Sequence, residues 1–182
     1  MLRKVLIILG LLVALFAIIA ALQPAHFKVE RSLTIAAPDS VIFAQVNDLH
    51  NWNAWSPWAK LDPAMKETYE GAAAGAGASY SWAGNSKVGE GRMTILESTP
   101  SSLVRIQLQF LKPFAATDTS EFSFTPAGKG TTVRWAMTGD NNFMAKAIGL
   151  FASMDKMVGK DFEMGLSQLK TVTEAAAAGG TQ

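Results

Sequence analysis

The period of the hydrophobic pattern changes once along this chain, and that change limits the folds open to it. In "HFKVERSLTI" the residues Phe27, Val29, Leu33 and Ile35 are in phase, and in "SSLVRIQLQFL" so are Val104, Ile106, Leu108 and Phe110. "TSEFSF" adds Phe122 and Phe124, and "GTTVRWAMTG" adds Val133, Trp135 and Met137. Alternation of this kind marks strands with one buried face. From Asn141 the step lengthens to three or four, through Phe143, Ala147, Phe151, Met154, Val158, Phe162, Leu166, Leu169 and Val172. That is a helical stripe of roughly 30 residues. Hairpin-joined strands followed by one long amphipathic helix predict an α+β domain.

Between the first strand and the rest, "APDSVIFAQVND" predicts a short helix, capped by Asp39 or Ser40. "MKETYEG" reads as a short strand, and "AAAGAGA" as a permissive connector without phosphate-loop spacing. "SYSW" and "VGEGRMTILES" flank Gly84-Asn85, a hairpin signal. Gly149, Gly159 and Gly165 interrupt the final stripe, each at a cost of about 1 kcal/mol against Ala. A break is expected near Gly149–Asp155, with a long helix after it. The Ala-rich end, 175–182, reads as a disordered tail.

The front of the chain is different. Val5 to Leu22 carries no charge, and its 18 residues span roughly 27 Å as a helix, close to the thickness of a bilayer core. Residues 1–25 are therefore read as a transmembrane anchor, with residues 26–174 as the folded domain. Arg3 and Lys4 should stay cytoplasmic, putting the domain on the periplasmic side of the inner membrane. A cleaved signal peptide is the rival reading, but the apolar run is long for one and "AALQPAH" offers no clean cleavage site.

Charge and composition exclude several functions. Formal net charge is +1, and without Arg3 and Lys4 the chain carries 14 basic and 15 acidic residues, so nothing argues for nucleic acid. With no cysteine there is no disulfide framework, thiolate metal site or Cys nucleophile. No metal motif or nucleophile elbow occurs, and no metal or cofactor is expected. His50 lies near Asp48 and Ser56, but proximity in sequence does not make a triad. Glu90 and Arg92 share one strand face and read as solvated. No catalytic residue is assigned.

"NWNAWSPWAK" holds three of the five tryptophans, Trp52, Trp55 and Trp58. Pro57 disfavours helical geometry at Ser56, so the three cannot share one regular helix. Trp52 is expected to end the short helix against the sheet, and Trp55 and Trp58 to cover the edge of a cavity. Core plugs or interfacial anchors are the alternatives. Strand parity adds Tyr80 and Trp82, Met93, Ile106, Leu108 and Phe110, then Trp135 and Met137 as candidate ligand contacts. Arg31 falls in phase with Val29 and Leu33, which points a charge inward. Three explanations stay open: a bulge turns it out, it pairs with an acid such as Glu70 or Asp118, or it meets an anionic ligand.

Four segments carry a family resemblance: "VERSLTIAAPDSVIFAQVND", "WNAWSPWAKLDP", "YSWAGNSKVGEGRMTI" and "GKDFEMGLSQLK". They resemble the START-like, helix-grip (SRPBCC) superfamily, and within it the polyketide cyclase/dehydrase and lipid-transport group, in its membrane-anchored bacterial members. The resemblance implies a curved antiparallel sheet of six to seven strands wrapped around the last helix, with two short helices after the first strand and an apolar cavity between. It implies no particular reaction. The expected function is a membrane-anchored binding module for a hydrophobic small molecule or lipid. A cyclase- or dehydratase-like enzyme, drawing on Arg31, Tyr69, Tyr80 or Asp118, is the second reading. A protein-interaction module with a filled core is the third.

Overall fold

The computed structural model of the chain describes residues 1–179. An N-terminal helix α1 (Leu2–Ala21) precedes strand β1 (His26–Ile35), helix α2 (Asp39–Asn47) and a 3-10 helix (Leu49–Ala54). Six strands follow: β2 (Lys66–Gly71), β3 (Ala78–Ala83), β4 (Glu90–Thr99), β5 (Leu103–Lys112), β6 (Ala116–Ala127) and β7 (Gly130–Asp140). A short helix α3 (Phe143–Gly149) and the long helix α4 (Met154–Gly179) complete the chain. The seven strands form one antiparallel sheet in the order β1-β7-β6-β5-β4-β3-β2. Hairpins link β2 to β7 in succession, and β1 closes onto β7. The helix-grip architecture expected from the sequence is present.

The sheet's inner face and α4 share one core. Val29, Ile35, Ile95, Val104, Ile106, Phe122, Val133 and Trp135 come from strands, and Phe162, Leu166 and Leu169 from α4; each is at most 2% exposed. Trp135 and Phe162 stack with centroids 3.9 Å apart and planes within 7°. The close fit depends on Gly165: a Cβ there would lie 2.7 Å from Trp135 Cζ3. The glycine that costs helix propensity lets the helix approach the indole.

Gly159 does the same for Arg31. Pairing of β1 with β7 is regular through Arg31, with no bulge, so the side chain keeps its inward phase. It then runs across α4 at Gly159, where a Cβ would collide with Nη2. Nη1 donates to Asp155 Oδ1 at 2.7 Å and Nε to Glu163 Oε1 at 2.7 Å. Asp155, Gly159 and Glu163 are four apart, so they line one side of α4. The Asp155 carboxyl is held below the usual range by its hydrogen bond from Arg31. Arg31 is therefore an exposed-edge clasp between β1 and α4, and its partners are neither Glu70 nor Asp118.

Other expectations shift in detail. Pro38 occupies the cap position of α2 and Asp39 its first turn, where a carboxylate suits the helix dipole. The hairpin at Gly84-Asn85 is a longer loop, 84–89, closed by Asn85 O accepting from the Val88 and Gly89 N–H groups. The break in the helical stripe falls where the glycine suggested, between Gly149 and Met154. Ahead of it, Phe143 and Phe151 do not join the core: they are 55% and 81% exposed, and α3 lies beside α1. Residues 175–179, part of the segment read as a tail, continue α4, while 180–182 lie outside the described residues.

Candidate functional site

Between the inner sheet face and the first half of α4 lies a cavity of about 370 Å³. That is within the size range of small-molecule sites. Parity places its walls: Tyr80 and Trp82 of β3, Met93 of β4, Ile106, Leu108 and Phe110 of β5, and Trp135 and Met137 of β7 all line it. Trp58 lines it from the loop after the 3-10 helix. Met154, Val158, Asp161 and Phe162 form the helix side, and exposed Asn53, Lys87, Phe114 and Ala116 edge the mouth.

Two residues expected here do not reach the cavity. Arg31 is held at α4 as described. Trp55 is fully buried behind the lining; its indole N–H donates to Gln45 O at 3.2 Å and its ring meets Trp52, Trp135 and Phe122. Trp52 takes the lining position instead, 6% exposed, with its N–H donating to Val46 O at 3.0 Å. In a 3-10 helix residues three apart eclipse one another, so Trp52 and the following Trp55 both turn toward the sheet.

The polar groups fall into two sets. On the β2–β3 side, Glu67 is an acceptor hub: Tyr80 Oη donates to Oε1 at 3.2 Å, and Tyr69 Oη and Asn53 Nδ2 donate to Oε2 at 3.2 and 3.1 Å. Burial and the Glu67 charge push the Tyr69 phenol up to about 12 and raise Tyr80 as well, so both stay protonated donors. His50 stacks on Tyr69 at 4.1 Å and pairs with Asp48, while Ser56 Oγ accepts from the Trp58 N–H. No Ser-His hydrogen bond forms among the described residues. Arg92 pairs with Glu70 and Lys112 with Glu90, on the solvated face.

The other set is on β6. Asp118, Ser120 and Phe122 point inward in succession. Ser120 Oγ accepts from Trp135 Nε1 at 2.9 Å. Asp118 lines the cavity at 7% exposure, and its Oδ1 is buried with no hydrogen-bond partner. Burial, with the charge of Asp140 adding to it, pushes its carboxyl up to about 6. The sequence offers Asp118 as a partner for Arg31 or as an acid–base candidate, but does not place it in the cavity wall. The strand signal began at Thr119, whereas β6 starts at Ala116 and puts Asp118 in phase with Phe122.

A sheet gripping a long helix around an apolar chamber defines a helix-grip domain with an internal cavity. The chain belongs to the polyketide cyclase / dehydrase and lipid transport family, whose model matches residues 26–174. No curated protein matches it. Solved structures share the fold at low identity. A Chromobacterium violaceum protein is 15% identical at a TM-score of 0.57, covering 83% of this chain and 99% of its own. A Mesorhizobium loti protein is 17% identical at 0.58, covering 82% and 98%. The di-domain ARO/CYC StfQ of the steffimycin biosynthetic pathway is 12% identical at 0.60, covering 85% of this chain and 53% of StfQ.

Proposed function

We propose that the protein binds a hydrophobic small molecule in the β-sheet–α4 cavity and takes it from the membrane that α1 anchors it to. The cavity carries this reading: about 370 Å³, walled by aromatic, Met, Ile and Leu side chains. Such a chamber stabilises an apolar occupant by removing it from water, at roughly 25 cal/mol per Å² of buried apolar surface. Family membership and the fold shared with StfQ agree with an apolar ligand.

The membrane part rests on α1 and α3. Helix α1 is long and apolar enough to cross a bilayer, with only 6% of its apolar window buried. Arg3 and Lys4 lie in its first turn, which favours a domain on the far side of the cytoplasmic membrane. Helix α3 and the turn after it stay with its exit end: Phe16 stacks on Phe151 at 6.3 Å, and Lys146 Nζ donates to Ala21 O at 3.4 Å. The next helix, α4, starts with Met154 and Val158, both in the cavity wall. Phe151, which meets α1, thus stands three residues before Met154 of the chamber wall.

A cyclase-like reaction is the second reading, favoured by the raised carboxyl of Asp118 inside the cavity. The binding reading is favoured by the mostly apolar wall, and by the Tyr80 phenol, which faces the chamber, being committed to Glu67. The test is to purify the full chain in nanodiscs, extract it, and identify apolar molecules retained above empty nanodiscs. Leu108→Trp, which fills the chamber, should cut retention at least tenfold. Equal retention by the wild type, the filled variant and empty discs would refute the reading and favour a closed, ligand-free core.

A further inference from the structure

Among the described residues, one buried side-chain polar atom has nothing to bind, and it belongs to the cavity wall. Asp118 is 7% exposed and Oδ1 has no partner. Its neighbours supply none. Across β5 it faces Leu108, and on the β7 side it lies against Gly139, where a Cβ would collide with Oδ1. The Ser120 hydroxyl accepts from Trp135 Nε1 and makes no hydrogen bond to Asp118, and the Tyr80 phenol donates to Glu67. The cation on β1, Arg31, is clasped to Asp155 and Glu163. The charge acting on Asp118 comes from another acid, Asp140, itself 2.6 Å from His26 Nδ1. Among the described residues no donor meets this carboxylate.

An ionised carboxylate only accepts hydrogen bonds, and leaving one buried and unmatched is costly. We infer that the occupant of this cavity is a hydrophobe carrying a hydrogen-bond donor, a hydroxyl or an ammonium, which the Asp118 carboxylate accepts inside the chamber. The inference rests on the reading that the cavity holds a ligand. It also excludes a class: an anionic head group, such as a free carboxylate, would meet Asp118 with like charge and is rejected from this end of the chamber. Apolar walls select the body of the ligand, and Asp118 selects its polar end and fixes its orientation.

Four probes sharing one ring system separate these effects: 2-methylnaphthalene, 2-naphthalenemethanol, 2-naphthylmethylammonium and 2-naphthoate. Their affinities are measured by equilibrium dialysis against the full chain in nanodiscs, with empty nanodiscs subtracted. In the wild type, the alcohol or the ammonium should bind at least tenfold tighter than the methyl compound, and 2-naphthoate weakest. Preference between alcohol and ammonium tells a neutral donor from a cationic one. In Asp118→Leu the donor advantage should vanish while 2-methylnaphthalene still binds, which also shows the variant folded; Asp118→Asn should fall between. If 2-methylnaphthalene binds the wild type and the donor probes gain nothing, the role of Asp118 is overturned and the cavity reading stands. If no probe binds, both fall.

Discussion

Trp55 and Trp58 stand three residues apart and should fail in opposite ways. Trp55 is 0% exposed, 4.5 Å from the Trp52 ring and outside the cavity wall. Trp55→Ala should therefore lose about 3–5 kcal/mol of stability, as large-to-small core changes do, with probe affinity intact in the folded fraction. Trp58 is partly buried, touches Trp135 and Phe162 edge-on, and lines the cavity. Trp58→Ala should cost only about 1 kcal/mol of stability but weaken ligand binding several-fold. Paired denaturant curves and dialysis separate the two; a reversed pattern would return Trp55 to the cavity mouth. Asp118 adds a pH dependence. With its carboxyl raised from 3.8 to about 6, the folded protein holds a proton that the unfolded chain has lost between those values. Stability falls as pH rises through that window and levels off above it. Asp118→Asn should thus gain over the wild type from pH 4 to 6 and hold the gain at pH 7.5. Some solvent reaches the cavity, so about 1–2 kcal/mol is expected, less than ~1.4 kcal/mol for every pH unit of that window would give. A gain that is flat with pH would remove the buried-carboxylate account.

At the scale of elements, the packing of α4 rests on Gly159 and Gly165, and substitution at Gly165, with Gly149 of α3 as the control, tests it. Gly→Ala ordinarily favours a helix by about 1 kcal/mol. At Gly165 the added Cβ meets Trp135, so Gly165→Ala should destabilise despite better propensity. At Gly149, which ends α3, a Cβ meets nothing within 4 Å, so Gly149→Ala should be neutral or mildly stabilising. Thermal midpoints of the two variants are the check, and similar shifts at both sites would mean that α4 does not sit tightly on Trp135. The same elements show what sequence could reveal. Pleating sends alternate residues to one face, so once the strands were found, Tyr80, Met93, Ile106, Leu108 and Met137 followed as cavity wall. The 3-10 helix has a different period, and it exchanged the roles assigned to Trp52 and Trp55. The Arg31 clasp had a signal in Asp155-Gly159-Glu163, acids flanking a glycine at helical spacing, but choosing it required knowing that α4 crosses β1. Asp118 can be named as a candidate from sequence, but its place in the wall cannot, because β6 starts with Ala116 and Thr117, small exposed residues with no apolar alternation.

For the whole molecule, the open matter is how an apolar chamber is loaded by a domain in water. Exposed Phe143, Met144 and Ile148, with Phe151 just after them, make α3 and its following turn a poor surface for solvent, and α3 lies beside α1. Phe16, which stacks on Phe151, is five residues before the end of α1, roughly 7.5 Å at helical rise. With α1 spanning a bilayer, α3 would then dip into the outer interface, where amphipathic helices lie with their apolar face some 5–10 Å deep. The chain has no cysteine, so a single introduced thiol is unambiguous. An environment-sensitive fluorophore on Ile148→Cys, in full chain reconstituted in nanodiscs, should emit blue-shifted and be quenched by lipids brominated on the acyl chain. The same label on Ser167→Cys, on an exposed part of α4, should report water and escape quenching. Phe151→Asp should return the Ile148 label to an aqueous spectrum and slow uptake of 2-naphthalenemethanol preloaded in the lipid, without changing its affinity at equilibrium. Labels that behave alike at 148 and 167 would leave the cavity reading intact but detach it from the membrane, and the ligand would then arrive from water or from another protein.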